Sequence, residues 1–84
     1  MQLQYSLMHI PEIYTLNVRG IGNEEKRRQL FYYMHKSPGS IFLVQETHST
    51  AKDEQRWKNE WGGNIYFSHG DSNARGVCIL IKTM

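Results

Sequence analysis

Apolar positions along this chain fall into short blocks separated by glycine, asparagine and serine. Ile13-Tyr14-Thr15-Leu16-Asn17-Val18 is rich in β-branched and aromatic side chains and predicts a strand, which Gly20 and Gly22 interrupt. Asn23 is suited to cap a helix, and Glu24 and Glu25 fill its first turn, where carboxylates complement the helix dipole. Leu30, Phe31 and Met34 fall at i, i+1 and i+4 and define one apolar face, in a helix ending near His35-Lys36 before Ser37-Pro38-Gly39. The Lys26-Arg27-Arg28 run reads as a solvated face paired with the neighbouring glutamates. Ile41-Phe42-Leu43-Val44 is a continuous apolar run, the pattern of a central strand covered on both faces.

Thr50 to Asp53 matches a capping box, with Asp in place of the usual Glu or Gln. The helix that follows carries Trp57 and Trp61 one turn apart, an arrangement for packing, and stops at Gly62-Gly63. Ile65-Tyr66-Phe67 predicts a third strand, and Gly76-Val77-Cys78-Ile79-Leu80-Ile81 a fourth that is apolar on both faces. In the polar turn between them, Asp71 and Asn73 read as turn formers. Residues 1–12 have no clean periodicity, end at Pro11, and are expected to form a leader with little structure.

The order strand, helix, strand, helix, strand, strand implies an α/β fold with a mixed sheet. The first two strands should be parallel, joined by a right-handed crossover, and the last two should form an antiparallel hairpin. Two strands call for cover on both faces, yet only two helices are predicted. Residues 13–84 are therefore expected to be an incomplete domain that exposes a large apolar patch.

Composition narrows the field only slightly. The 84 residues allow one small domain, and a net charge of +2 with pI near 8.8 is too mildly basic to mark a nucleic-acid surface by itself. Cys78 is the single cysteine, which excludes an intrachain disulfide and a cysteine zinc site, and its apolar neighbours predict a small buried side chain. No apolar run is long enough to span a membrane, and the opening residues lack the basic and apolar regions of a signal peptide. An intracellular location, nuclear or cytoplasmic, is expected.

Glu46 is the first candidate for chemistry. It follows a buried strand at its carboxyl end, where open α/β sheets place their ligand sites, and a single carboxylate retaining several waters is a common way to hold Mg²⁺. Asn17 ends the first strand, and parallel pairing would bring it to the same edge as Glu46, where its amide could position a water or a phosphate oxygen.

Three stretches resemble the motifs of one superfamily. They are Leu16-Asn17-Val18-Arg19-Gly20-Ile21, Leu43-Val44-Gln45-Glu46-Thr47-His48, and Ser72-Asn73-Ala74-Arg75-Gly76-Val77-Cys78-Ile79-Leu80. In their order and intervals they resemble the N-terminal part of the exonuclease–endonuclease–phosphatase superfamily, in the form found in the endonuclease domains of LINE-type retrotransposons. Trp57, Glu60-Trp61-Gly62-Gly63 and Phe67-Ser68-His69-Gly70 resemble the connecting segments of that branch, and His48 stands where the abasic-site repair branch more often has Lys.

The resemblance implies a four-layered α/β sandwich, present here in part, and Mg²⁺-dependent cleavage of a DNA phosphodiester, with Mn²⁺ as a substitute metal. It implies that Glu46 binds the metal and that Asn17 hydrogen-bonds near the metal or the scissile phosphate. Arg19 and Arg75 flank the same end and are candidates for contact with DNA phosphates. The family's catalytic His and its Asp-x-Asn belong to later motifs, which His48, His69, Asp71 and Asn73 do not match. The chain is therefore expected to be inactive alone and to require the remainder of the domain or a complementing chain. Two other readings use the same residues: a phosphoesterase of the superfamily acting on phospholipid or inositol phosphates, and a non-enzymatic α/β module that binds protein or nucleic acid.

Overall fold

The computed structural model describes residues 12–71 and 75–83. The elements run β1 (Ile13–Asn17), α1 (Glu24–Lys36), β2 (Ile41–Gln45), a 3₁₀ turn (Ala51–Asp53), α2 (Glu54–Trp61), β3 (Asn64–Ser68) and β4 (Val77–Ile81). This is the expected α/β order, with element ends within a residue or two of those predicted except at the start of α2. Most of the expected leader, and Asn73 of the expected turn, lie outside the described residues.

Local chemistry sets the helix ends. Asn23 caps α1 by accepting the backbone N–H of Lys26 at 2.8 Å. At the other end Lys82 Nζ donates to the carbonyls of His35 and Ser37, satisfying groups the helix leaves unpaired. The Thr50–Asp53 capping box is present, but the turn it opens is 3₁₀, and the α-helix proper begins at Glu54. Gly62 ends α2 at φ +79°, a left-handed value that glycine adopts without a Cβ clash.

The sheet order is β1-β2-β4-β3, with β1 parallel to β2 and the other pairs antiparallel. Thus β2 is central, and β4 lies between it and β3. The register aligns Leu16, Val44, Cys78 and Phe67 across one face, with Phe42, Leu80 and Ile65 beside them. Both helices pack there. Trp57 and Trp61 are buried against this face, Phe31 and Phe42 meet the Trp61 ring edge-on, and His35 stacks on it at 4.2 Å. No described helix is long and apolar enough to cross a membrane.

Arg27 corrects the sequence reading. It is not on a solvated face; it is fully buried. Its guanidinium holds Glu60 through two nitrogens, at 2.5 and 2.9 Å, and donates to the carbonyls of Ile21 and Gly22, each at 3.1 Å. It also lies over the Trp57 ring at 5.2 Å. A buried cation is tolerated because these acceptors replace its hydration.

The opposite sheet face carries Ile13, Ile41, Leu43, Val77, Ile79, Ile81 and Tyr66. Among the described residues no element packs on it, and Ile13, Val77, Ile79 and Tyr66 are exposed. This is the apolar patch expected from two helices covering a sheet that is apolar on both sides.

Two outcomes follow from this packing. The 84-residue chain should bind 1-anilinonaphthalene-8-sulfonate and self-associate, and Ile79→Lys should reduce both; a strictly monomeric wild type in light scattering would contradict this. The Arg27 charge and its hydrogen bonds hold the Glu60 carboxyl below the usual carboxylate range. A depressed folded-state pKa contributes stability that is complete above the unfolded value and is lost as pH falls through the folded one. Glu60→Gln should therefore cost about 2 kcal/mol at pH 7, less than a fully buried pair because Glu60 is partly exposed. Its urea midpoint should also fall less than that of the wild type as the pH is lowered below about 4.5.

Candidate functional site

The carboxyl ends of β1 and β2 continue into loops that stay paired beyond the strands. Val18 N–H donates to Gln45 O at 3.0 Å, Gly20 N–H to Glu46 O at 2.6 Å and Ile21 N–H to Thr47 O at 3.2 Å. On the other side Thr47 N–H donates to Gly76 O at 3.2 Å and His48 N–H to Arg75 O at 2.7 Å. The loop after β2 is thus held from both sides.

Backbone strain is concentrated in these loops. Among the described residues, the non-glycine positions with positive φ are Arg19 at 51°, Glu46 at 57° and His48 at 56°. Each such conformation costs about 1–3 kcal/mol, and persists where the surroundings over-determine it. Along this stretch Thr47 and Ser49 are buried, while His48 is exposed and Glu46 half-buried.

Asn17 and Glu46 are brought together here. Asn17 Nδ2 donates to Glu46 Oε2 at 2.5 Å, and Asn17 Oδ1 accepts the N–H of Arg19 at 3.3 Å. The amide is therefore fixed at both ends and orients the carboxylate. The other oxygen, Glu46 Oε1, makes no hydrogen bond among the described residues. Parallel pairing explains the meeting, since Asn17 lies opposite Gln45 in the register and Glu46 is the next residue.

Arg75 shares a shallow concavity of about 430 Å³ with Gln45, Glu46, Gly76 and Val77. Its guanidinium is 3.4 Å from His48 Nε2. The His48 ring sits over Gly20, where a Cβ would lie 2.8 Å from its Nδ1. Arg19 is exposed on the loop after β1, and Lys26 Nζ donates to Val18 O at 2.7 Å at the base of that loop. Among the described residues no three His, Cys, Asp or Glu side chains form a closed metal cage. What the site offers a cation is one oriented carboxylate, open on one oxygen, beside a positive rim. That donor set fits Mg²⁺, which keeps most of its water and takes one or two carboxylates together with substrate phosphate.

A second polar cluster escaped the sequence reading. Thr47 Oγ1 and Ser49 Oγ are 3.1 Å apart, Ser49 Oγ is 2.9 Å from His69 Nδ1, and His69 Nε2 is 2.6 Å from Glu54 Oε2. It joins the loop after β2, the start of α2 and the end of β3, segments too far apart in sequence to signal their meeting. Cys78 lies beneath it, and burial pushes its thiol up to about 11. It is a buried packing residue, as its apolar neighbours predicted.

No family model matches the sequence. The chain is 34% identical over 70 residues to the Transposon TX1 uncharacterized 149 kDa protein of Xenopus laevis. The match takes in 83% of this chain and 5% of that protein. The similarity supports an origin in transposon sequence.

The left-handed backbone at Glu46 is testable by itself. Glycine pays no Cβ penalty there, so Glu46→Gly should be more stable than Glu46→Ala by about 1 kcal/mol in urea unfolding. Equal stabilities would show that the positive φ is not retained in solution.

Proposed function

We propose that this chain carries the first half of a Mg²⁺-dependent endonuclease site of retrotransposon type, which cleaves a DNA phosphodiester once the remaining catalytic groups are supplied. The observation that carries this reading is the Asn17–Glu46 pair at the carboxyl ends of two parallel strands, with Glu46 Oε1 open and Arg75 alongside.

In this reading Glu46 is the metal ligand, and Mn²⁺ can replace Mg²⁺ on its hard oxygen. Held by Glu46, the metal would supply polarisation of phosphoryl oxygens and offset charge in the transition state. Asn17 orients the carboxylate, and its amide would hydrogen-bond near the metal or the scissile phosphate. Arg19 and Arg75 contact neighbouring DNA phosphates, which supply affinity and register but no sequence preference. Likeness to a transposon protein agrees with this origin. The His and the Asp-x-Asn implied by the family resemblance have no counterpart among these residues, so a partner segment completes the chemistry. Without it the chain is a metal- and phosphate-binding half-site.

Paramagnetic Mn²⁺ should selectively broaden the backbone amides of Gln45, Glu46 and Thr47, and Glu46→Gln should abolish the effect. Broadening that is uniform, or unchanged in the variant, would remove the metal assignment. Supercoiled plasmid should remain intact with the chain and Mg²⁺. Nicking abolished by both EDTA and Glu46→Ala would instead show a complete site.

A further inference from the structure

The Thr47–Ser49–His69–Glu54 chain ends one residue from Glu46. A carboxylate only accepts hydrogen bonds, so His69 Nε2 carries the proton given to Glu54. In the neutral ring Nδ1 then accepts from the Ser49 hydroxyl, and Ser49 in turn accepts from Thr47. Each link is directional, and Thr47 and Ser49 are buried. They are the buried positions that alternate with the two strained residues, Glu46 and His48. Buried hydroxyls without partners are costly, so the network favours the one backbone path that keeps both inside.

We propose that His69 is a positioning residue for Glu46: through Ser49 and Thr47 it holds the loop after β2 in the left-handed path that presents the carboxylate beside Asn17. His69 reaches no atom of Glu46 and acts only through these hydroxyls. The loop has little freedom to adjust on its other side. A Cβ at Gly76 would lie 2.9 Å from Thr47 Oγ1 and 3.1 Å from the Gly70 nitrogen, so the β3–β4 connection closes against the same threonine. The metal-related part of the proposal rests on the half-site reading above; the part concerning loop geometry does not.

The test has two readouts on the full chain. The first is amide hydrogen exchange at Gly20, Thr47 and His48, whose N–H groups donate to Glu46 O, Gly76 O and Arg75 O. In His69→Ala these three amides should exchange at least about tenfold faster while core amides such as those of Phe42 and Leu80 stay protected. Ser49→Ala, which leaves the His69–Glu54 contact in place, should give the same local loss. His69→Asn places an amide oxygen near the Nδ1 position and should restore protection, whereas His69→Gln, which reaches only Glu54, should not. Uniform acceleration at all amides, no acceleration, or no rescue by Asn would overturn the proposal.

The second readout is Mn²⁺ affinity from the same broadening experiment. It should weaken about 10- to 100-fold in His69→Ala and recover in His69→Asn. If the wild type binds no Mn²⁺, the half-site reading fails, and hydrogen exchange alone decides the role of His69. If Mn²⁺ binds and His69→Ala leaves its affinity unchanged, the positioning role is wrong.

Discussion

One buried cation ties together the parts of this small domain that share no secondary structure. Arg27 projects from α1, donates to Glu60 of α2, lies over the Trp57 ring and donates to the carbonyls of Ile21 and Gly22 in the loop after β1. The helices otherwise meet through Trp61, against which Phe31 and His35 pack. Removing either charge would leave the other without its ionic partner, so the two helices and the loop are coupled as a unit. That loop also carries Arg19, and its pairing with the loop after β2 sets where Asn17 and Glu46 meet.

The two halves of the molecule use different means of support. The sheet and helices are held by apolar burial, which is non-directional and tolerates small shifts. The strand-end loops are held by directional bonds: backbone pairs on both sides of residues 46–48, and a chain of hydroxyl, imidazole and carboxylate beneath them. This division suits a site at which a carboxylate must be held in one direction on a strained backbone. The apolar face on which no described element packs lies on the other side of the sheet from the helices.

Much of the fold was legible in the chain because its punctuation is local. Asn23, Gly62 and the Thr50–Asp53 box mark helix ends by their own geometry, and the spacing of Trp57 and Trp61 shows which side of α2 is buried. The meeting of Asn17 with Glu46 was also legible, since parallel neighbours bring their carboxyl ends to one edge. Arg27 was misread because it sits in a run of charge next to two glutamates. Its spacing to Phe31 and Met34, at i+4 and i+7, did place it on the apolar stripe, but its partner Glu60 is 33 residues away. His69 and Ser49 gave no local signal for the same reason, and nothing in the residue types at 19, 46 and 48 announces a left-handed backbone.

The strand order has a consequence for how the molecule comes into being. Because β4 follows β2 and β3 in the chain and lies between them, neither can gain that neighbour until residues 77–81 have been synthesised. Until then β3 has no partner in the sheet and β2 has one unpaired edge. Assembly of these four strands therefore waits for an insertion that closes contacts distant in sequence, the kind of topology that folds slowly. The strand that joins β2 to β3 is preceded by Arg75 and Gly76, so their contacts with the loop after β2 form in the same event as the pairing of the described strands.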